Sequence, residues 1–287
     1  MESVFGILFD GLAYGSLLFL LSVGLSVTMG LMNIVNLAHG AFAMFGGYAS
    51  VWLMSRWHVP FLATLPLCFL AVGLAGCGIE RLCFRRLRGR SQLDQVLFTI
   101  GLTFIAVASA TFVWGPAEQR VELPMPLRGQ VRVLGLALGA HRLFLVALVV
   151  ALSVGLIVLV EKTRWGARVR ASVDNSSVAA GLGVPVDSIF CVTFGIGTGL
   201  AGLGGALGID VLGLSPRFAL EYLVYFLLVV VVGGAGSLLG TAVAAIVLGV
   251  CDVAGKYYVP QLGAFIIYVL MIVLLLAFPA GLYGRRT

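Results

Sequence analysis

Tyr222–Cys251 reads YLVYFLLVVVVGGAGSLLGTAVAAIVLGVC, an uncharged stretch interrupted only by Gly233-Gly234-Ala235-Gly236-Ser237. A helix crosses the hydrocarbon core of a bilayer in ~20 apolar residues, because each residue advances it by only ~1.5 Å. The stretch is therefore long enough for two short spans joined at the glycines. Uncharged runs at 62–79, 143–160 and 189–209 have the same character. None of them alternates polar and apolar residues as a barrel strand would. Composition agrees, with 61% hydrophobic and 10% charged residues, against ~25% charged in a soluble domain. A soluble globule so apolar would lack a polar surface. The fold expected is all-α, a polytopic membrane bundle of about 8–10 spans with broken helices, in one transmembrane domain over 1–287.

The candidate spans are 5–30, 37–54, 61–80, 94–114, 141–160, 188–209, 221–233, 238–254 and 262–279. The second is preceded by Asn33-Ile34-Val35-Asn36, so it too can begin as a broken helix. Met1–Asp10 holds Glu2 and Asp10 but no Lys or Arg, so the first apolar segment is expected to be a retained span, not a cleaved signal. Lys and Arg flanking spans mark the cytoplasmic side. Arg81, Arg85, Arg86, Arg88 and Arg90, then Lys162, Arg164, Arg168 and Arg170, and finally Arg285 and Arg286 fall on one face. That face is taken as cytoplasmic, with the C-terminus inside. The net charge of +6 is thus flanking charge for helices, and no contiguous stripe for nucleic acid remains. A polar loop over 115–140, with Pro116, Pro124 and Pro126, falls on the outer face and is either a solvated hairpin or a docking surface.

Enzyme motifs fail on inspection. Gly255-Lys256 lacks the glycine and the Ser or Thr that a phosphate loop needs, since Val250 and Tyr257 stand there. Gly197-Thr198-Gly199-Leu200-Ala201-Gly202 spells a dinucleotide fingerprint, but inside a span, where small residues instead let helices approach closely. His39, His58 and His141 are too scattered for a metal. The five cysteines form no C-x-x-C pair and read as small packing residues. The chain is read as no enzyme, with no cofactor of its own.

Two stretches stand out. In Asn33–Gly40, Asn33, Asn36 and His39 lie among apolar residues; they either cap a helix break or line a solute path. The same break chemistry is expected at Gly233, Gly234, Gly236 and Ser237, and spans one to three and seven to nine hint at a repeat of the kind transporters carry. Thr163–Val186 is a polar segment of the cytoplasmic face (162–187 in all), in which Asp174, Asn175 or Ser176 can cap a short helix and Gly181 or Gly183 can end it.

Gly11-Leu12-Ala13-Tyr14-Gly15, Gly24-Leu25, Asn36-Leu37-Ala38-His39-Gly40 and Gly46-Gly47-Tyr48 resemble the opening of the branched-chain amino acid ABC permeases, the LivH/LivM family. Glu80-Arg81, Leu87-Arg88-Gly89, Thr99-Ile100-Gly101, Thr163–Ala171, Gly233–Ser237 and Gly240 continue the resemblance over nearly the whole chain. The His-Gly pattern and the length favour the LivH side. Arg170–Ser177 departs from it, being polar where relatives often place Pro and Glu. The resemblance implies an ATP-driven importer in the bacterial inner membrane. Its partners would be a second, LivM-like permease, two cytoplasmic ATPase subunits that bind ATP and Mg, and a periplasmic solute-binding protein. It also implies that Tyr14, Asn33, Asn36, His39, Gly40 and the Gly233–Ser237 block line or gate the path. Arg164, Trp165, Gly166, Arg168, Arg170, Ala171, Asp174, Ala179, Ala180 and Gly181 would couple to the ATPase. The alternative, an ion-coupled transporter or channel, would use Asp10, Asp210, Glu221 and Asp252, which the topology puts near the outer face.

Overall fold

A computed structural model describes residues 2–32, 35–133, 136–278 and 281–283. Asn33, Arg285 and Arg286 lie outside the described residues. In chain order the helices are α1 (Glu2–Met32), α2 (His39–Trp57), α3 (Phe61–Ile79), α4 (Arg85–Leu87), α5 (Gln92–Trp114), α6 (Met125–Arg128), α7 (Ala140–Lys162), α8 (Arg164–Asp174), α9 (Ser176–Gly181), α10 (Val186–Leu212), α11 (Phe218–Glu221), α12 (Leu223–Gly233), α13 (Leu238–Tyr258) and α14 (Gly263–Ala277). A π-helical turn, Glu80–Phe84, joins α3 to α4. All nine expected spans are helices at the expected places. Among the described residues six are long and apolar enough to cross a membrane by themselves: α1, α3 with its extension to Leu87, α5, α7, α10 and α13. The stretches Phe218–Gly233 and Phe265–Ala277 are shorter. The outer loop is more ordered than a solvated hairpin need be. Gln130–Val133 and Leu136–Gly139 form an antiparallel pair, β1 and β2, with Gln130 opposite Gly139, and Gln119 N–H bonds Leu214 carbonyl at 2.7 Å.

Helix α10 is the axis, buried along almost its whole length. Its glycines set how close the neighbours come. A Cβ on Gly24 would strike the backbone of Gly197, and one on Gly205 would lie 2.6 Å from the Ala43 carbonyl carbon. In lipid there is no hydrophobic drive between helices, so backbone approach and van der Waals contact must hold them. The 197–202 glycines thus serve packing, as their place in a span suggests. On α1, Gly11 faces Val250 and Gly15 faces Ala245, placing α13 antiparallel to α1. By contrast α5 and α7 lie at the periphery and expose Leu97, Ile105, Phe112, Val150 and Val154, surface suited to acyl chains.

Contacts sort the loops onto two faces. One gathers Arg85, Arg88 and Asp187. The other gathers Gln119 with Leu214, Arg142 with Asp10, and His141 with Asp210. The arginine-rich segment and the polar α8–α9 segment therefore share a face, opposite the 115–140 loop, as the charge pattern requires.

Candidate functional site

The second half of α1 is gripped from two sides. Helix α2 starts inside the bundle, not at its edge: His39 Nε2 lies 2.9 Å from the Leu21 carbonyl, and Thr103, midway along α5, lies 3.2 Å from the Leu37 carbonyl. A carbonyl only accepts, so Nε2 carries the proton and Nδ1 presents a lone pair. The imidazole also meets the Phe226 ring edge-on at 6.5 Å. Asn36 Oδ1 accepts the Ala38 N–H at 3.0 Å, closing the turn that introduces α2. Capping the break is therefore one role of Asn36. Capping leaves Asn36 Nδ2 and His39 Nδ1 buried without a partner, which is unusual for buried polar atoms. Gly40 lets the Ala219 carbonyl come close to the helix start.

The glycine block meets α1 about five residues further on, roughly 7.5 Å along the axis. Gly234 and Gly236 take φ of 94° and 83°, values that favour glycine. They fold Gly233–Ser237 into a tight turn between α12 and α13. Gly236 N–H donates to the Ser26 carbonyl at 3.1 Å, and the Thr241 hydroxyl lies 2.8 Å from Ser26 Oγ. Ser237 Oγ accepts the Gly240 N–H at 3.0 Å and so caps α13, while Gly233 packs backbone to backbone on Gly240. The two breaks differ: one opens a helix at mid-depth, the other is a turn close to the end of α1. Tyr14 is not with them. It lies toward the other end of α1, with the Lys256 ammonium 5.7 Å from its ring centre. Ser26, Thr241 and Phe226 join the cradle unforeseen; an uncharged polar residue in a span is too common a signal to single out.

On the arginine-rich face the polar segment forms two helices where one was expected. Thr163 Oγ1 accepts the Gly166 N–H at 3.0 Å to start α8, and Asn175 Oδ1 accepts the Val178 N–H at 3.0 Å to start α9. Of the three proposed caps Asn175 is the one that starts α9, and Gly183, with φ of 83°, follows its end. Trp165 and Val169 pack on Ile189 and Phe190. Gly166 is pressed on the Leu159 and Val160 carbonyls, and Arg170 bonds the Val160 carbonyl. Ala179 is buried, whereas Arg164, Arg168, Ala171, Asp174, Ala180 and Gly181 are exposed. Beside them Val173, Val178 and Leu182 expose apolar surface.

Arg88 ties this segment to the α3 extension. It pairs with buried Glu80, lies 2.7 Å from Asp187, and stacks 4.3 Å over the Phe190 ring; Arg85 reaches Asp187 at 2.5 Å. These arginines do more than flank a span. Three of the four carboxylates of the ion-coupled alternative stay away from the cradle: Asp10 is paired with Arg142, Asp210 lies by His141 and Asp252 is paired with Lys256, while Glu221 ends α11, whose Ala219 touches Gly40.

The profile of one family, described as the permease component of branched-chain amino acid transport systems, matches residues 7–275. The chain is 25% identical to the high-affinity branched-chain amino acid transport system permease protein BraD of Pseudomonas aeruginosa, over 97% of this chain and 95% of that one. It is 25% identical to the corresponding protein LivH of Salmonella typhimurium, over 97% and 94%. A probable branched-chain amino acid transport permease of Methanocaldococcus jannaschii is 25% identical over 97% and 92%. No solved structure matches the chain.

Proposed function

The chain belongs to the permease-component family of branched-chain amino acid transport systems and is a multi-pass membrane permease subunit of an ABC importer; we propose that its cargo is leucine, isoleucine or valine. The observation that carries this is the extent of the match, which runs from the first span to the last. In this reading the protein sits in the cytoplasmic membrane of a bacterium, with the arginine-rich face and the C-terminus inside. Two ATPase subunits supply ATP and Mg chemistry from that side, a second permease completes the path, and a binding protein delivers solute to the 115–140 face.

The exposed flank of α8 and α9 receives the ATPase. Because Arg88 bonds both Glu80 and Asp187, a push on α9 is passed to α3 and α10 together. Helix α10 lies against α1, α2 and α3 through glycine contacts, so its tilt moves the cradle of Asn36, His39, Gly40 and Gly233–Ser237. The unpartnered Asn36 Nδ2 and His39 Nδ1 then offer one donor and one acceptor to a passing solute. Uptake of labelled leucine by vesicles holding the whole complex tests the cargo, with isoleucine, valine and urea as competitors. Competition by the first two alone is expected. Uptake of urea or a sugar without leucine would overturn the cargo and leave the permease role standing.

A further inference from the structure

At the end of the bundle nearest the 115–140 loop, α1, α7, α10 and α13 enclose a cavity of about 200 Å³. Its polar wall is Asp10 and Tyr14 from α1, Arg142 from α7, and Asp252 and Lys256 from α13. A wider cavity shares Asp10 and Arg142 and continues past His141 and Asp210 to the β hairpin. The small cavity thus adjoins the one that reaches the loop face, with Asp10, Arg142 and Val211 lining both.

The charges of the wall are balanced, two against two. Arg142 pairs with Asp10, and Lys256 Nζ lies 2.6 Å from Asp252 Oδ2. Asp252 is 1% exposed, yet its Oδ1 has no hydrogen-bond partner. Buried carboxylate oxygens are normally matched, because an unmatched one forfeits its hydration for nothing. Lys256, Asp10 and Arg142 are, in contrast, partly exposed. Lysine is flexible about its four-carbon stem, so rotation of Lys256 uncovers Asp252 without moving the backbone.

We propose that this cavity binds a free α-amino acid, with the ammonium on Asp252 and the carboxylate on Lys256, while Arg142 keeps its pair with Asp10. A zwitterion brings one charge of each sign, so each paired group of the wall that it displaces finds a new partner. A lone cation or a lone anion satisfies one member of the displaced Lys256–Asp252 pair and leaves the other worse off, and a neutral amide satisfies neither charge. Leu145 and Val253 give the remaining surface an apolar character suited to an aliphatic side chain, and the volume admits only a small solute. The proposal rests on the amino-acid cargo read above and locates a first holding point for it in this chain.

The test is protection from labelling. Val211 lines both cavities, so Val211→Cys, in a chain whose five native cysteines are alanines, reports occupancy. The whole complex, in right-side-out vesicles, is treated with an impermeant thiol reagent. L-leucine is expected to slow labelling at least tenfold. Isocaproate, which lacks the ammonium, leucinamide, which lacks the carboxylate, and acetamide should not. Asp252→Asn should raise the half-protecting leucine concentration at least tenfold at an unchanged unprotected rate. If that variant does not fold, the ligand series on the parent chain decides alone. Vesicles that take up leucine but show no protection, or equal protection by any of the three analogues, would overturn the site and leave the cargo intact. Vesicles that accumulate only a solute that is not an amino acid would instead sink the cargo reading; leucine protection there would uphold the site, and its absence would overturn it.

Discussion

Replacing Arg88 by Met should disconnect the α3 extension from the helix that carries the coupling segment. Three contacts are lost: the pair with Glu80, which is 1% exposed, the pair with half-exposed Asp187, and the stack on Phe190. Removing one partner of a buried pair leaves an uncompensated charge and costs about 3–5 kcal/mol. The exposed pair contributes about 0–1 kcal/mol and the stack about 0.5–1 kcal/mol. The terms share one guanidinium and do not simply add, so the buried pair decides the outcome. Adding Glu80→Gln removes the orphaned charge, and the double variant should recover most of the loss. Arg86→Met is the control, because among the described residues the Arg86 side chain bonds only the Leu82 carbonyl of the adjoining π-helical turn. Thermal unfolding of the purified complex and the number of ATP hydrolysed per solute imported are the readouts. Arg88→Met should lower both stability and coupling, with stability restored by Glu80→Gln. An effect no larger than that of Arg86→Met would show that Arg88 does not tie the α3 extension to α10.

Ala180→Asp should weaken ATPase association without unfolding the permease, whereas Ala179→Asp, on a residue 3% exposed, should lower folded yield; co-purification and size-exclusion profiles separate the two. Gly205→Val should destabilise the bundle by at least about 1–3 kcal/mol, because the added carbons meet the Ala43 backbone and not a flexible side chain; denaturant midpoints measure it. Met125→Cys, on a side chain 85% exposed, should react with an impermeant reagent added outside intact cells; reaction only after the cytoplasmic side is opened would invert the topology.

The helices were legible because membrane insertion is a local property: a long apolar run must satisfy its own backbone hydrogen bonds wherever it sits. The cap at Asn175 was legible for the same reason, because it acts on an amide three residues away, whereas the equally local caps of Thr163 and Ser237 were not singled out. Depth was not. That α2 begins beside Leu21 depends on a hydrogen bond between residues 18 apart in sequence. The Arg88–Asp187 bond spans 99 residues and the Ser26–Thr241 contact 215, and no single segment carries either. Tyr14 and the glycine block were grouped by resemblance, yet α1 carries Tyr14 away from that block and toward Lys256. Over 164–181 one short helix was expected and two are present; the first is marked by its apolar positions Trp165 and Val169, which fall four apart and give it a buried stripe.

As a permease subunit of an ABC importer, this chain should move solute only as one component of an ATP-driven assembly. Proteoliposomes containing the chain alone, and others containing it with the second permease, the ATPases and the binding protein, should be compared for leucine accumulation with ATP supplied. Accumulation against a gradient is expected in the complete assembly and none with the chain alone, under ATP or under any ion gradient. Leucine accumulation by the isolated chain, driven by sodium or protons, would contradict that.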